Sequence, residues 1–442
     1  MEIQHFPTKN DIRQIFDNTR VTETEDEAKE VQPDVESFIK DIKNGSKTNN
    51  FAIVTETFAH LSGTRMFIKT KFMKKFKNDA DLLANTNPSF SEIITGKDVY
   101  RIFLESLYKA KRKDKKRLAV NDFKTEVLNG IHEITQKKFD YIGLIPLRFQ
   151  VEQDHRFENI SILKNIQGLE KMGVPTATLK DKVGEIGSFS VINFSSTTQN
   201  AAMAFLKEFM DFLESAISIF MKEEASLLRL MPSRYVYLNY FPILLSKEKG
   251  LISFESEMFN NFQYAEPLRS KYKRDFIGSL QEDEAFFTDV SSFKLNQSLQ
   301  KSRDLENRLI MSVEWLGRVA REPDSKLQIS YCTFALEAIF QTKDKSNGIE
   351  EYLKHNSVRT LARFGKSHYD SNEVYNIVHD AYQSRSDVVH SRVIGDVPNT
   401  YIDRMYDLDM EMIKVIVSFI LDKNIYTLNE LETYLFGDGE EN

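Results

Sequence analysis

The chain has 442 residues with 59 Lys and Arg against 66 Asp and Glu, a net charge of −7. That length predicts two or three domains, each able to bury a core. The acidic balance excludes a general nucleic-acid-coating protein but leaves room for a local positive site.

Residues 1–45 read as a polar, irregular arm, acidic from Glu23 to Glu30 and ending in a helix. The alternation from Arg65 to Phe72 predicts a strand, and 98–111 a helix. Strands are expected again over 141–152 and 188–194. Residues 200–222 form an amphipathic helix with Met203, Leu206, Met210, Leu213 and Ile217 as its stripe. Alternating aromatics (Tyr235, Tyr237, Phe241) mark 233–245, and short apolar segments continue to about Phe287. From there the pattern turns helical: 305–321 with Trp315, the only tryptophan, then 325–341, apolar nearly all round with Glu337 as its one carboxylate. Glu322-Pro323-Asp324 separates the two, because proline disfavours helix in the preceding residue. A helix over 349–364 stops at Gly365, and another follows with Val374, Ile377, Val378 and Ala381. After a loop at 395–398 a last helix carries Met405, Leu408, Met412, Val415 and Phe419. The fold class expected is mixed: an α+β N-terminal region followed by an all-α antiparallel helical bundle. Its predicted divisions are 1–195 (α+β, sensing or RNA recognition), 196–297 (a helix plus short strands), 298–425 (the bundle) and 426–442 (an acidic tail). The boundary before the bundle is placed at 291–300.

Cys332, the one cysteine, excludes an intramolecular disulfide and reads as a small core residue. The first residues lack the basic-then-apolar pattern of a signal peptide, and no run reaches the apolar length of a bilayer span. A cytoplasmic protein without a membrane partner is expected. No Gly-rich phosphate loop, zinc spacing, His-Glu-x-x-His or Gly-x-Ser-x-Gly motif occurs. No cofactor and no metal is implied, and His355, His368 and His379 read as surface or hydrogen-bonded residues.

The candidate chemistry lies in Arg385-Ser386-Asp387-Val388-Val389-His390. With Val374 at zero and about 100° per residue, Ile377, Val378, Ala381, Val388 and Val389 share an arc, and Arg385 lands in its middle. A buried guanidinium stays charged and needs an acidic partner, a phosphate or water. Arginine to stabilise phosphate charge beside histidine to move protons makes a phosphodiester-cleaving pair. The other reading is an internal salt bridge. Five residues also set the two about 140° apart on a straight helix, so they converge only where the helix ends or distorts, or where a second subunit completes the site.

The Trp315 helix, Ala335-Leu336-Glu337-Ala338 and Tyr382-x-x-Arg385-Ser386-x-Val388-Val389-His390 stand in this order over the last third of the chain. In these features the chain resembles the HEPN superfamily, most closely its Apea-like branch. It departs from many relatives in having Ser391, not glycine, after the histidine. The resemblance implies a dimerising helical bundle and a metal-independent endoribonuclease in which a 2′-hydroxyl attacks the adjacent phosphate. His390 would be acid or base and Arg385 the charge stabiliser. Ser386 or Asp387 could orient the histidine, and Glu337 could hold the arginine. The resemblance also implies a regulated toxin or abortive-infection and antiviral effector, with RNA as substrate, a homodimeric partner, and an activator, phage-derived or other. A non-catalytic scaffold for dimerisation or partner binding is the alternative. Two basic groups could follow an RNA backbone. One is Lys109, Lys111, Arg112, Lys113, Lys115, Lys116 and Arg117. The other is Arg65, Lys69, Lys71, Lys74, Lys75 and Lys77, interleaved with Phe67, Phe72 and Phe76. Either group could equally be a solvated face.

Overall fold

A computed structural model describes residues 5–22, 51–54, 65–86, 93–113, 119–147, 151, 153–172, 188–221, 243–246, 250–253, 283–298, 303–340, 348–365, 367–390 and 396–437. The described chain is mostly helical and divides into two units, Met1–Phe139 with Ser196–Ala204, and Asp140–Ser195 with Phe205–Asn442. The expected divisions at 195/196 and 297/298 do not coincide with these units. The alternating stretch 233–242 lies outside the described residues.

The first unit holds helices α1 (Lys9–Asp17), α2 (Thr70–Thr86), α3 (Gly96–Lys113) and α4 (Val120–Gln136), with strands β1 (Thr19–Thr22), β2 (Phe51–Val54) and β3 (Arg65–Lys69). The strands form an antiparallel sheet in the order β1-β3-β2, with Thr19 opposite Ile68. The strand expected over 65–72 stops at Lys69, and Thr70 already opens α2. Helical spacing wins there because Phe76, Ala80 and Leu83 all reach the core. Phe76, Phe103 and Phe123 pack ring to ring at its centre. Asp98, buried on α3, ties 196–204 to this unit by accepting from Thr198 Oγ1 and Asn200 Nδ2, each at 2.9 Å.

The second unit carries a six-stranded sheet in the order β5-β6-β7-β4-β8-β9. Its strands are β4 (Phe139–Pro146), β5 (His155–Arg156), β6 (Ile160–Leu163), β7 (Phe189–Ser196), β8 (Ile243–Ser246) and β9 (Gly250–Ser253). A short helix, α5 (Ile166–Lys171), follows β6, and the long α6 (Gln199–Met221) follows β7. The remaining helices are α7 (Glu284–Ser298), α8 (Asp304–Arg321), α9 (Ser325–Phe340), α10 (Ile349–Phe364), α11 (Ser371–Val389), α12 (Asn399–Lys423) and α13 (Leu428–Phe436).

Helix α9 packs against α8, α10, α11 and α12. A helix apolar on most of its faces takes that central place because those faces need cover. The predicted stripe of α12 is buried throughout, from Met405 to Phe419. Gly365 ends α10 with φ 68°, a left-handed turn that glycine adopts without a Cβ clash. Gly317 lets α8 approach α6 closely, since a Cβ there would stand 2.5 Å from the Ser215 backbone.

Two sequence expectations need correction. Most of the boundary window 291–300 falls within α7 (Glu284–Ser298), whose Phe287, Val290 and Phe293 are buried and which packs on α8. Most of the supposed acidic tail is α13, capped by Thr427 and Glu430 and anchored by buried Leu428, Leu431 and Leu435. No helix among the described residues is long and apolar enough to cross a membrane.

Candidate active site

Helix α11 positions the Arg/His motif. It starts where the Asp370 side chain accepts the Glu373 amide at 2.8 Å, a standard N-terminal cap. Val374, Ile377, Val378 and Ala381 are buried. Beyond Ala381 the stripe departs from the sequence reading: Val388 is half-buried and Val389 is 63% exposed. The last turns of α11 therefore present apolar surface to solvent.

Arg385 is half-buried, its side chain 21% exposed, and its Nη1 donates to Oε1 of Glu337 at 2.5 Å. Its guanidinium also lies 4.7 Å from the Phe334 ring centroid and 5.5 Å from that of Tyr382. Glu337 and Phe334 both come from α9, so the central helix supplies the carboxylate and one wall of the cage. Burial pushes the Glu337 carboxyl up from its ordinary value, and the arginine's charge and hydrogen bond pull it back only partly. Among the described residues the buried Nε of Arg385 has no acceptor. Glu337 thus holds the arginine by one nitrogen, short of the bidentate pairing that a guanidinium can make.

His390 is exposed and stands as the C-cap of α11. The helix is unbroken to Val389, and the His390 amide still donates to the Ser386 carbonyl at 2.9 Å. Arg385 and His390 accordingly leave the helix about 140° apart. The helix ends at His390 with no distortion before it. Ser386 and Asp387 are half-buried on the intervening turn.

Trp315 on α8 lies with Tyr331 and Phe334 of α9, at 5.5 and 5.0 Å between ring centroids, and the Arg318 guanidinium lies 4.3 Å from its centroid. The sequence reading missed this neighbourhood. The signal was Trp315 and Arg318 at i, i+3 beside Tyr331 and Phe334 at i, i+3. Also missed was Lys354 on α10, whose side chain is 3% exposed between Glu350 (2.5 Å) and Glu351 (2.9 Å). His379 of α11 reaches Glu350 at 2.6 Å. Burial pushes Lys354 down, but the two carboxylates outweigh it and carry the ammonium up to about 12.

The proposed RNA-binding lysines scatter. Lys111 is buried, its ammonium 3.7 Å from the Phe16 ring centroid, so it belongs to the core edge and not to a binding face. Lys109 pairs with Glu126 at 3.2 Å and Lys113 with Asp122 at 3.7 Å, both on the next helix, while Arg112 is exposed. Lys115, Lys116 and Arg117 lie outside the described residues. In the other group, Lys74, Lys75 and Lys77 are exposed, Lys75 being paired with Asp11, and Phe76 is buried. The side chains of Arg65, Phe67, Lys69 and Lys71 lie outside those described.

Among the described residues no group of three or more His, Cys, Asp or Glu could hold a metal ion. Comparison with family models, curated proteins and solved structures gives no match.

Proposed function

We propose that this chain is a metal-independent endoribonuclease of the HEPN type, active as a homodimer. The observation that carries the reading is Arg385, a charged group held at a helix surface by one bond to Glu337, five residues before an exposed histidine. A guanidinium with unspent donors can receive a phosphate oxygen, and an exposed imidazole can take or return a proton near neutral pH. The 2′-oxygen bonds to phosphorus as the bond to the 5′-oxygen breaks, leaving a cyclic phosphate and a 5′-hydroxyl. His390 takes the proton from the 2′-hydroxyl or gives one to the leaving oxygen, and Arg385 offsets charge on the phosphorane. The exposed end of α11, with Val389, suits contact with a second copy that would bring a second motif to the first. The role as a regulated toxin or abortive-infection and antiviral effector, awaiting a phage-derived or other activator, rests on the family resemblance.

A second reading also has an observation behind it. Arg385 between Glu337, Phe334 and Tyr382 has the surroundings of an internal ion pair, which suits a non-catalytic dimerisation or partner-binding bundle. The two readings separate on cleavage of total RNA and tRNA in EDTA by wild type, Arg385→Ala and His390→Ala, with folding and dimerisation verified. The ribonuclease reading expects cleavage by wild type and its loss, by about 100-fold or more, in both variants. Activity that survives both substitutions removes the site assignment.

A further inference from the structure

Two neighbouring helices turn aromatic side chains outward beside Arg385. On α8, Met311, Trp315 and Arg318 recur at i, i+4 and i+7; on α9, Leu327, Tyr331 and Phe334 do the same. Within a bundle these positions would be core, yet Met311 is 51% and Leu327 40% exposed, and the three aromatics are only half-buried. The groups form a continuous chain of contacts. Arg318 lies 4.3 Å from the Trp315 centroid, Trp315 5.0 Å from Phe334, and Phe334 4.7 Å from the Arg385 guanidinium. Two rings in contact lie between two guanidiniums, one at each end.

We propose that this strip is a stacking lane for unpaired nucleotides, which deepens the ribonuclease reading by making single-stranded RNA the substrate class. Flat rings that are partly open to solvent receive the faces of splayed-out bases, and guanidiniums at both ends meet backbone phosphates. A second protein surface would also cover apolar side chains, but the two cations set at either end of the rings complement a polyanion better than an apolar face. A duplex keeps its bases stacked on one another and has none to offer these rings. The lane ends at Arg385, so a strand lying along it delivers a phosphate to the proposed charge stabiliser.

Trp315 is the only tryptophan, so its fluorescence reports this site alone. The test titrates full-length His390→Ala, which on the ribonuclease reading binds without cutting, with a 12-nucleotide single-stranded RNA and with its duplex. The single strand should quench Trp315 saturably, and the duplex should bind about tenfold more weakly or worse. With fluorescently labelled RNA, Trp315→Ala and Arg318→Ala should each weaken binding about tenfold, the size of one lost stacking contact. Trp315→Phe keeps a ring and should retain most of the affinity; it also guards against misreading a folding defect. Equal quenching by duplex or by heparin would reduce the strip to a nonspecific cation and overturn the proposal. A fluorescence change that follows protein concentration and ignores RNA would overturn it by making the strip a self-association face. Wild-type cleavage with unchanged KM in Trp315→Ala would sink the lane while leaving the ribonuclease reading intact. Saturable single-strand binding without any cleavage would do the reverse.

Discussion

Arg385 and Glu337 decide most at the scale of single residues. The carboxylate is buried, so removing it leaves a largely enclosed cation uncompensated. Glu337→Ala should cost about 3 kcal/mol, the low end for a buried pair, because the guanidinium keeps some contact with water. Chemical denaturation of both single variants and the double variant measures this; a double variant as unstable as the sum of the singles would show that the pair contributes nothing. Asp409 offers a separate test. It is wholly buried on α12, and among the described residues neither of its carboxyl oxygens has a hydrogen-bond partner. Burial pushes its carboxyl well above the ordinary value. A raised folded-state value means that the folded chain holds a proton the unfolded chain has released. The contribution is therefore full below the unfolded value of about 3.9 and is lost as pH rises through the folded one. As pH rises above the unfolded value the wild type should lose stability from this site, whereas Asp409→Asn, which cannot ionise, should lose less. Parallel pH curves for the two proteins would refute the assignment.

At the scale of elements, helix α13 shows what the sequence concealed. Five carboxylates within 426–442 suggest a solvated tail, but Leu428, Leu431 and Leu435 lie on one side and dock on the bundle. Leu431→Ala should cost about 2–5 kcal/mol, as a fully buried leucine does, and a thermal melt shifted by less than a degree would contradict that packing. The bundle helices α8 to α12 were legible because their stripes, the proline break at Pro323 and the Gly365 stop all agree. The reading of 65–72 was right to Lys69 and overran beyond it because two periods overlap there: alternation through Ile68, and helical spacing from Phe72 through Phe76. The surroundings of the lysine run were hidden for another reason. What neutralises Lys109 and Lys113, and what covers Lys111, comes from other helices, which no local pattern encodes. The Arg385–Glu337 pairing was legible as a possibility because a lone carboxylate on an apolar helix and a mid-stripe arginine each need a partner. The cage rings and the protruding Val389 were not, since both depend on how far neighbouring helices extend.

For the whole molecule, the decisive fact is that neither the unit boundaries nor the proposed site follows the linear chain. The bundle over 298–425 is incomplete by itself, because α8 is braced by α6. Arg321 bonds Glu214 and Ser215, each at 3.0 Å, and Gly317 lies on the Ser215 backbone. A fragment cut at 298 and 425 removes α6, α7 and α13 together, so the intact chain is the proper material for testing the site. The remaining question is which copy supplies which group. Arg385 lies within α11 and His390 caps its end, about 140° away by helix geometry. On the proposed homodimeric reading, a two-fold axis would pair the arginine of one protomer with the histidine of the other. Arg385→Ala and His390→Ala, each inactive alone, should then regain activity when unfolded and refolded together. Half of randomly paired dimers are mixed, and each mixed dimer holds one intact site of two, so recovery should approach about a quarter of wild type. Refolded dimers that form in full yet stay inactive would exclude the crossed arrangement. Recovery that rises with the mixed fraction would establish that the site belongs to the pair of chains and to neither one alone.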